Sequence, residues 1–226
     1  MADVSFLKLM AWMSPGFPVG AFSYSHGIEY AVAIGTVCDA GSLQSWIDDV
    51  LAHGAGRSDA ILFAHAWRAA RMNDAAALRE VAELAAALRA TPELGRETTA
   101  QGQAFALAIN AAWPAESLTL LKQSWGGPMT HPVVVAAACA GHGIGLDAGL
   151  AAYLHGFAAN LVSAGVRLVP LGQTQGQRIV AALESPILRL ATVAPQAPLA
   201  SAGSGTWMVD WSSMQHETLH TRLFRS

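Results

Sequence analysis

The chain has 226 residues, of which 53% are hydrophobic and only 13% are charged, and its formal net charge is −3. The length suits one domain with its own core, and the scattered basic residues argue against nucleic acid or an anionic membrane as the main partner. Because little charge is available to cover the surface, we expect apolar patches that meet other proteins. The isolated Cys38 and Cys139, with no secretory signal, favour a reduced, cytoplasmic setting.

Helical periodicity and helix-breaking residues divide the chain into successive helices. Apolar spacing predicts a short helix over residues 3–13, a second that ends near Gly35, and a third capped at Gly41-Ser42. Thr91 and Pro92 are typical of a cap followed by the first position of a helix. We expect further helices over residues 57–72, 75–90, 92–113, 116–125, 131–143, 146–169 and 179–190.

No alternating β-branched stretches and no internal repeat occur in the sequence. The fold class is therefore predicted as all-α, a single-domain bundle of roughly eight to ten helices. Pro186 should kink or split the helix that contains it. Residues 195–206, rich in Pro, Ala, Ser and Gly, predict a flexible linker, which divides the chain into a domain of residues 1–194 and a linker with a tail over residues 195–226.

One uncharged segment, residues 148–166, is long enough to cross a membrane. It contains three glycines, His155 and Asn160, and much of the rest is alanine, so its transfer into lipid would gain little. A small membrane protein is one reading of the chain. A buried helix packed closely through small residues is the reading that we favour.

A second alternative function rests on the tail, where His216-Glu217-Thr218-Leu219-His220 matches the zinc-binding pattern H-E-x-x-H. A catalytic zinc needs a third protein ligand, and only six residues follow His220. A zinc-dependent hydrolase therefore stays an alternative, and a polar amphipathic tail is the simpler interpretation.

Other patterns give little support for chemistry. Ser23, Ser25 and His26 could supply a nucleophile and a base, but neighbours in sequence rarely face each other and no Gly-x-Ser-x-Gly elbow is present. Gly143-x-Gly145-x-x-Ala148 has neither the strand nor the acid of a dinucleotide site, and the chain has no P-loop. The remaining histidines are dispersed, so we expect no metal site and no catalytic residue.

Three segments, in the same order, resemble the UreF family of urease accessory proteins. Residues 14–29 are similar to S-P-x-L-P-V-G-x-F-S-Y-S-x-G-L-E, with Phe17 and Ile28 where leucine is usual. Residues 170–177 are similar to P-L-G-Q-T-D-G-Q, with Gln175 in place of the aspartate, and residues 213–226 are similar to S-M-x-H-E-T…R-L-F-R-S. Together these segments span nearly the whole chain.

The resemblance implies a nickel-insertion chaperone without catalysis of its own. Such a protein joins UreD (also called UreH) and recruits the GTPase UreG to the urease apoprotein. No cofactor is expected on this chain, because nickel and GTP are handled by the assembled complex. The resemblance also implies a cytoplasmic homodimer.

Two sets of partner-binding residues follow from the resemblance and from two loop-to-helix junctions, at residues 14–29 and 170–178. We expect the tail to be mobile in the isolated chain and ordered by UreD, because its apolar residues have nothing local to cover them. The two junctions should lie close together and receive the GTPase. The GTPase side is assigned to Tyr24, Ser25, His26, Glu29, Gln173, Gln177 and Arg178. The UreD side is assigned to Phe6, Leu9, Met214, His216, Glu217, Thr218, Arg222, Leu223, Phe224 and Arg225.

Overall fold

The computed structural model describes residues 4–226, and these residues form α-helices and short 3-10 turns without any strand. The all-α fold class is thereby confirmed, while the predicted helix start at residue 3 lies outside the described residues. Twelve α-helices are present in this part of the chain. They are α1 Val4–Trp12, α2 Ile28–Ala33, α3 Ala40–His53, α4 Ala55–Arg71, α5 Ala75–Ala87, α6 Pro92–Ala112, α7 Glu116–Ser124, α8 His131–Gly141, α9 Leu146–Leu168, α10 Gln173–Ala182, α11 Glu184–Val193 and α12 Trp207–His216.

Helices α4 and α8 form the centre of the bundle. Every residue of α8 from Pro132 to Ala140 is buried, as expected of a helix that is apolar on all sides. Helix α4 packs against α8 on one side and against α3, α5 and α9 on others. Alanine and valine dominate α8, so its neighbours approach closely and the core needs few large side chains.

Helix α9 is long and apolar enough to span a membrane, but half of its most apolar window is buried inside the bundle. It packs against α2, α3, α4, α8, α10 and α11. Gly165 allows one of these contacts, because a Cβ there would collide with the side chain of Leu43 in α3. The structure therefore agrees with a core helix packed through small residues.

Three predicted boundaries can be compared with the structure. The Thr91 side chain accepts a hydrogen bond from the Leu94 N–H at 3.1 Å, so the predicted cap of α6 is confirmed. The predicted cap at Gly41-Ser42 is wrong, because Asp39 caps α3 and Ser42 completes a capping box inside the first turn. The predicted split near Pro186 falls at Leu183. Proline has no N–H to bond the carbonyl of Ala182, four residues earlier, and its ring clashes with that carbonyl.

Residues 195–206 were expected to be a flexible linker, but they lie along α4. The Arg57 guanidinium in α4 donates a hydrogen bond to the Ser201 carbonyl at 2.8 Å, and the His65 ring binds the Ala197 carbonyl at 3.0 Å. Two short 3-10 turns give the segment a regular path. The expected linker is therefore packed against the bundle, while the division of the chain at residue 194 stays a prediction.

Candidate functional site

Three buried carboxylates, Glu29, Glu93 and Glu97, form the most unusual chemical feature of the bundle. Glu29 lies in the first turn of α2, and the other two lie one turn apart on the same face of α6. A buried charge is costly unless it is paired and hydrogen-bonded. All three carboxylates find partners in the last residues of the chain, 216–226, which we call the C-terminal segment.

Glu29 holds the backbone of the C-terminal segment. Its carboxylate accepts hydrogen bonds from the Leu223 N–H at 2.6 Å and from the Phe224 N–H at 2.9 Å. Two main-chain donors on one ionised acceptor make a strong and directional attachment. The Phe224 side chain is consequently buried, with 4% of its surface exposed.

His216 bridges two of the carboxylates. Its Nε2 is 2.9 Å from Glu29 Oε2 and its Nδ1 is 2.8 Å from Glu93 Oε2, and the side chain has no exposed surface. The imidazole therefore connects α2 to α6 through both of its ring nitrogens. Arg222 adds a cation, because its Nη1 donates to Glu93 Oε1 at 3.2 Å.

Glu97 holds the last residue of the chain. It accepts a hydrogen bond from the Ser226 hydroxyl at 2.7 Å, and the His26 Nδ1 lies 3.3 Å from its other oxygen. Burial alone would lower the pKa of His26, but the charge and hydrogen bond of Glu97, aided by Asp59, raise it above the ordinary value. The Ser226 carbonyl in turn accepts hydrogen bonds from the Ser25 hydroxyl and from the Ser25 N–H.

These contacts exclude the two catalytic arrangements suggested by the sequence. Helix α12 ends at His216, so Glu217 and His220 are exposed beyond the helix and the H-E-x-x-H geometry does not form. Both nitrogens of His216 are already bonded to carboxylates. Ser25 and His26 are likewise bound to Ser226 and Glu97 rather than to each other. Within residues 4–226, no group of three or more His, Cys, Asp or Glu side chains is arranged to hold a metal ion.

Residues 14–27, which we call the signature loop, cover a cavity of about 300 Å³ between α1, α6 and α9. Its lining includes the aromatic side chains of Trp12, Phe17 and Phe157, and Glu97 and His131 are among its polar groups. Burial lowers the pKa of His131 to about 4, so this imidazole is neutral at physiological pH. Part of the loop therefore borders an incompletely filled space, while Phe17 packs against Phe105 of the core.

The structure separates the residues assigned to the GTPase side into two groups. Tyr24, Ser25, His26 and Glu29 are buried, and Glu29 is committed to the C-terminal segment, so charge reversal there would damage the fold and could not act on one partner alone. The exposed residues of this set are Gln173, Gln177 and Arg178, in α10.

Both junctions lie near the C-terminal end of α9. Phe22 of the signature loop contacts Arg167 in the last turn of α9, and the second junction begins three residues later at Pro170. Glu29 and Arg178 lie on different helices, α2 and α10, each of which packs against α9.

The residues assigned to the UreD side also divide by burial. His216 and Phe224 are buried and Leu9 is half-buried, so the expectation that nothing local covers the apolar tail is wrong for Phe224. Its neighbour Leu223 faces outward, with 63% of its surface exposed. The exposed members are Phe6, Met214, Glu217, Thr218, Arg222, Leu223 and Arg225.

Sequence reasoning missed several residues of this region. Glu93 and Glu97 were not singled out, although carboxylates four positions apart in a helix share a face. Trp207 and Trp211 were also missed, although with Met214 they recur at helical spacing in the tail. In the structure Trp207 is 83% exposed, and Trp211 packs edge-on against Tyr30.

Comparison with known proteins places the chain in a family. A family model described as UreF matches residues 37–184. The chain is 49% identical over 224 residues to the urease accessory protein UreF of Rhodopseudomonas palustris strain BisB5, which covers 99% of this chain and 92% of that protein. It is 47% identical over 220 residues to the same protein of Methylobacterium radiotolerans, with 97% and 96% covered. For Bradyrhizobium diazoefficiens the identity is 44% over 219 residues, with 97% and 90% covered. The chain belongs to the UreF family of urease accessory proteins.

Proposed function

We propose that this chain works with UreD (UreH) to recruit the GTPase UreG to the urease apoprotein in the cytoplasm, where nickel is inserted in a GTP-dependent step. The chain is a scaffold in this proposal and acts as a homodimer. It performs no catalysis and holds no cofactor, because nickel and GTP belong to the assembled complex. The proposal follows from family membership together with the way in which the two ends of the chain meet.

The observation that carries the proposal is the attachment of the C-terminal segment to the base of the signature loop. Ser226 binds Ser25 and Glu97, and the Arg225 N–H donates to the Ser23 carbonyl at 2.8 Å. The side chains of Ser25 and His26 in the loop and of His216 and Ser226 in the segment are thus used to hold the two ends of the chain in place. What is left for other proteins is an outer surface of apolar and a few polar groups, which suits a scaffold.

We assign UreD to the apolar faces of α1 and α12. In α1, Phe6 and Met10 expose 56% and 59% of their surfaces, and in α12 Trp207 and Met214 expose 83% and 48%. Tryptophan and methionine are enriched in protein interfaces, and tryptophan often carries much of the binding energy. Exposed side chains of this size are costly to leave in water without a partner.

We assign the GTPase to the C-terminal end of α9, near which both junctions lie. Phe22 exposes 66% of its surface there, and Gln173, Gln177 and Arg178 are exposed on the adjacent α10. Four other residues assigned to the GTPase side are buried below this surface and support it, namely Tyr24, Ser25, His26 and Glu29. An aromatic side chain beside a cation is a common composition for the centre of an interface.

Co-purification with separately tagged UreD and UreG tests both assignments. Trp207→Ser with Met214→Ser should abolish capture of UreD, and Arg178→Glu should weaken capture of UreG, while thermal unfolding stays unchanged for each variant. Arg189→Glu, an exposed charge reversal on α11, is the matched control and should affect neither. Deletion of residues 207–226 should abolish the UreD complex and also lower stability. Normal capture of both partners by the α12 and α10 variants would refute the assignments.

A further inference from the structure

The Arg167 guanidinium lies between two aromatic rings that come from opposite ends of the chain. Its central carbon is 3.6 Å from the centre of the Phe22 ring and 4.3 Å from the centre of the Phe224 ring. Phe22 belongs to the signature loop and Phe224 to the C-terminal segment. A planar, weakly hydrated guanidinium is the cation best suited to contact aromatic faces in this way.

Hydrogen bonds fix the orientation of this guanidinium. Nε donates to the Ser163 carbonyl of the same helix at 3.1 Å, and Nη1 donates to the Phe22 carbonyl at 2.9 Å. Nη2 is buried without a hydrogen-bond partner among the described residues. The two aromatic rings therefore take the place of water around this part of the guanidinium. Removing either ring would hydrate and loosen the guanidinium.

The two rings differ in exposure, because one is buried in the fold and the other faces solvent. Phe224 is 4% exposed and is held from behind by the bond from its N–H to Glu29, whereas Phe22 is 66% exposed. The other links between the C-terminal segment and the loop are hydrogen bonds to Ser23, Ser25 and His26. Arg167 is the contact that extends from the segment to Phe22 itself.

We propose that Arg167 is a positioning residue that transmits the docking of the C-terminal segment to the signature loop and so fixes how Phe22 faces the GTPase. When Phe224 is in place, the guanidinium is held against it and anchors the Phe22 carbonyl. When the C-terminal segment detaches, Arg167 loses its contact with the Phe224 ring. Its hydrogen bond to the Phe22 carbonyl then exchanges with water, and the exposed Phe22 side chain loses its fixed orientation. The role in presentation to UreG rests on the function proposed above, whereas the coupling between segment and loop does not.

Hydrogen exchange in the full-length chain tests the coupling without any partner. The Ser23 and Tyr24 amides are suitable reporters, because they donate to the Gly20 and Ala21 carbonyls within the loop and not to the C-terminal segment. Arg167→Met keeps the length of the side chain but removes the donors and the charge. Phe224→Leu keeps an apolar side chain but removes the ring. Each variant should speed exchange of the two amides about tenfold, as expected for loss of a partly buried cation–π contact.

The double variant separates transmission from simple support. If Arg167 transmits the effect of Phe224, the Ser23 and Tyr24 amides of the double variant should exchange no faster than those of either single variant. Both substitutions would then interrupt the same chain of contacts, so their effects would not add. If the two effects multiply, the residues act independently and the proposal is overturned. Arg167→Lys should behave like Arg167→Met, because an ammonium has no planar face for two rings, and full protection in that variant would also overturn it. Arg189→Met is the matched control and should not change exchange.

Capture of UreG then tests the functional consequence. Arg167→Met should reduce capture of UreG by at least fivefold, while UreD capture and the thermal midpoint stay close to the wild-type values. Unchanged capture of UreG by a variant whose loop is loosened would overturn the role in presentation. If the wild-type chain captures no UreG at all while the exchange results are non-additive, the proposed function fails and the coupling by Arg167 stands.

Discussion

The carboxylate of Glu29 and the imidazole of His216 lie 2.9 Å apart although 187 positions separate them in the chain. The same carboxylate binds two backbone N–H groups of the C-terminal segment, and the same imidazole reaches Glu93 on α6. One buried pair therefore connects α2, α6 and the end of the chain. Changes at this pair should loosen the C-terminal segment and the signature loop together.

Glu29→Gln should destabilise the protein by about 2 kcal/mol, because hydrogen bonds to a charged acceptor are replaced by weaker or repulsive contacts. Glu29→Lys should cost more, since it places a cation beside His216 and the two amides. Urea unfolding gives the free energy, and hydrogen exchange at Leu223 and Phe224 locates the loss. Glu217→Gln, at an exposed position of the same segment, should change neither. Selective loss of UreG binding by Glu29→Lys with normal stability would contradict the structural role.

His216→Ala and His220→Ala should have very different effects, although both histidines belong to the same H-E-x-x-H pattern. His216→Ala leaves Glu29 and Glu93 without their shared partner and should cost about 3 kcal/mol or more. His220 is exposed, so its replacement should be close to neutral. Thermal unfolding of the two variants is the measurement, with elemental analysis for zinc in parallel. Stoichiometric zinc that disappears in both variants would revive the hydrolase interpretation.

The stability supplied by His26 should decrease as pH rises. Its pKa is raised in the folded protein, so the protonated form favours folding. The contribution is complete below the unfolded-state value of about 6.5 and is lost as pH rises through the folded-state value. We expect the difference in unfolding free energy between wild type and His26→Asn to be largest near pH 6 and to shrink toward pH 9.

The choice of asparagine matters because the His26 backbone has φ of 56°, a conformation that asparagine tolerates well. Urea unfolding at four pH values measures the difference, and His155→Asn, on an exposed part of α9, is the control. A difference that grows with pH would show that the cation is not the stabilising form.

Gly102→Ala should destabilise the protein by about 2 kcal/mol, because the packing of α6 leaves no room for a methyl group. A Cβ at this position would collide with the Met129 carbonyl and lie 2.8 Å from the His131 N–H nitrogen, and neither backbone atom can rotate away. Gly126→Ala is the matched control, since nothing lies within 4 Å of its Cβ position. Equal thermal midpoints for the two variants would show that α6 shifts without cost.

Local signals in the sequence were sufficient for the helical class and for several boundaries. The Thr91 cap and the break caused by Pro186 depend on residues a few positions apart, and the structure has both features near their predicted positions. The cap of α3 was misplaced because Asp39 and Ser42 each suit a cap, and only their reciprocal hydrogen bonds show which one begins the helix. The resemblance to the UreF family likewise came from short segments and is confirmed by whole-chain relatives.

The sequence by itself determined the all-α class, the family and the segments that matter, because helix periodicity and motifs are read over a few neighbouring residues. Only the tertiary structure decided which of those residues face a partner and which face each other. In the sequence, Glu29 and Arg178 are both charged residues of a loop-to-helix junction, yet packing buries the first against His216 and leaves the second exposed to water. A carboxylate has the same local pattern whether it is solvated or paired, and its partner, here 187 positions away, is set by the docking of helices.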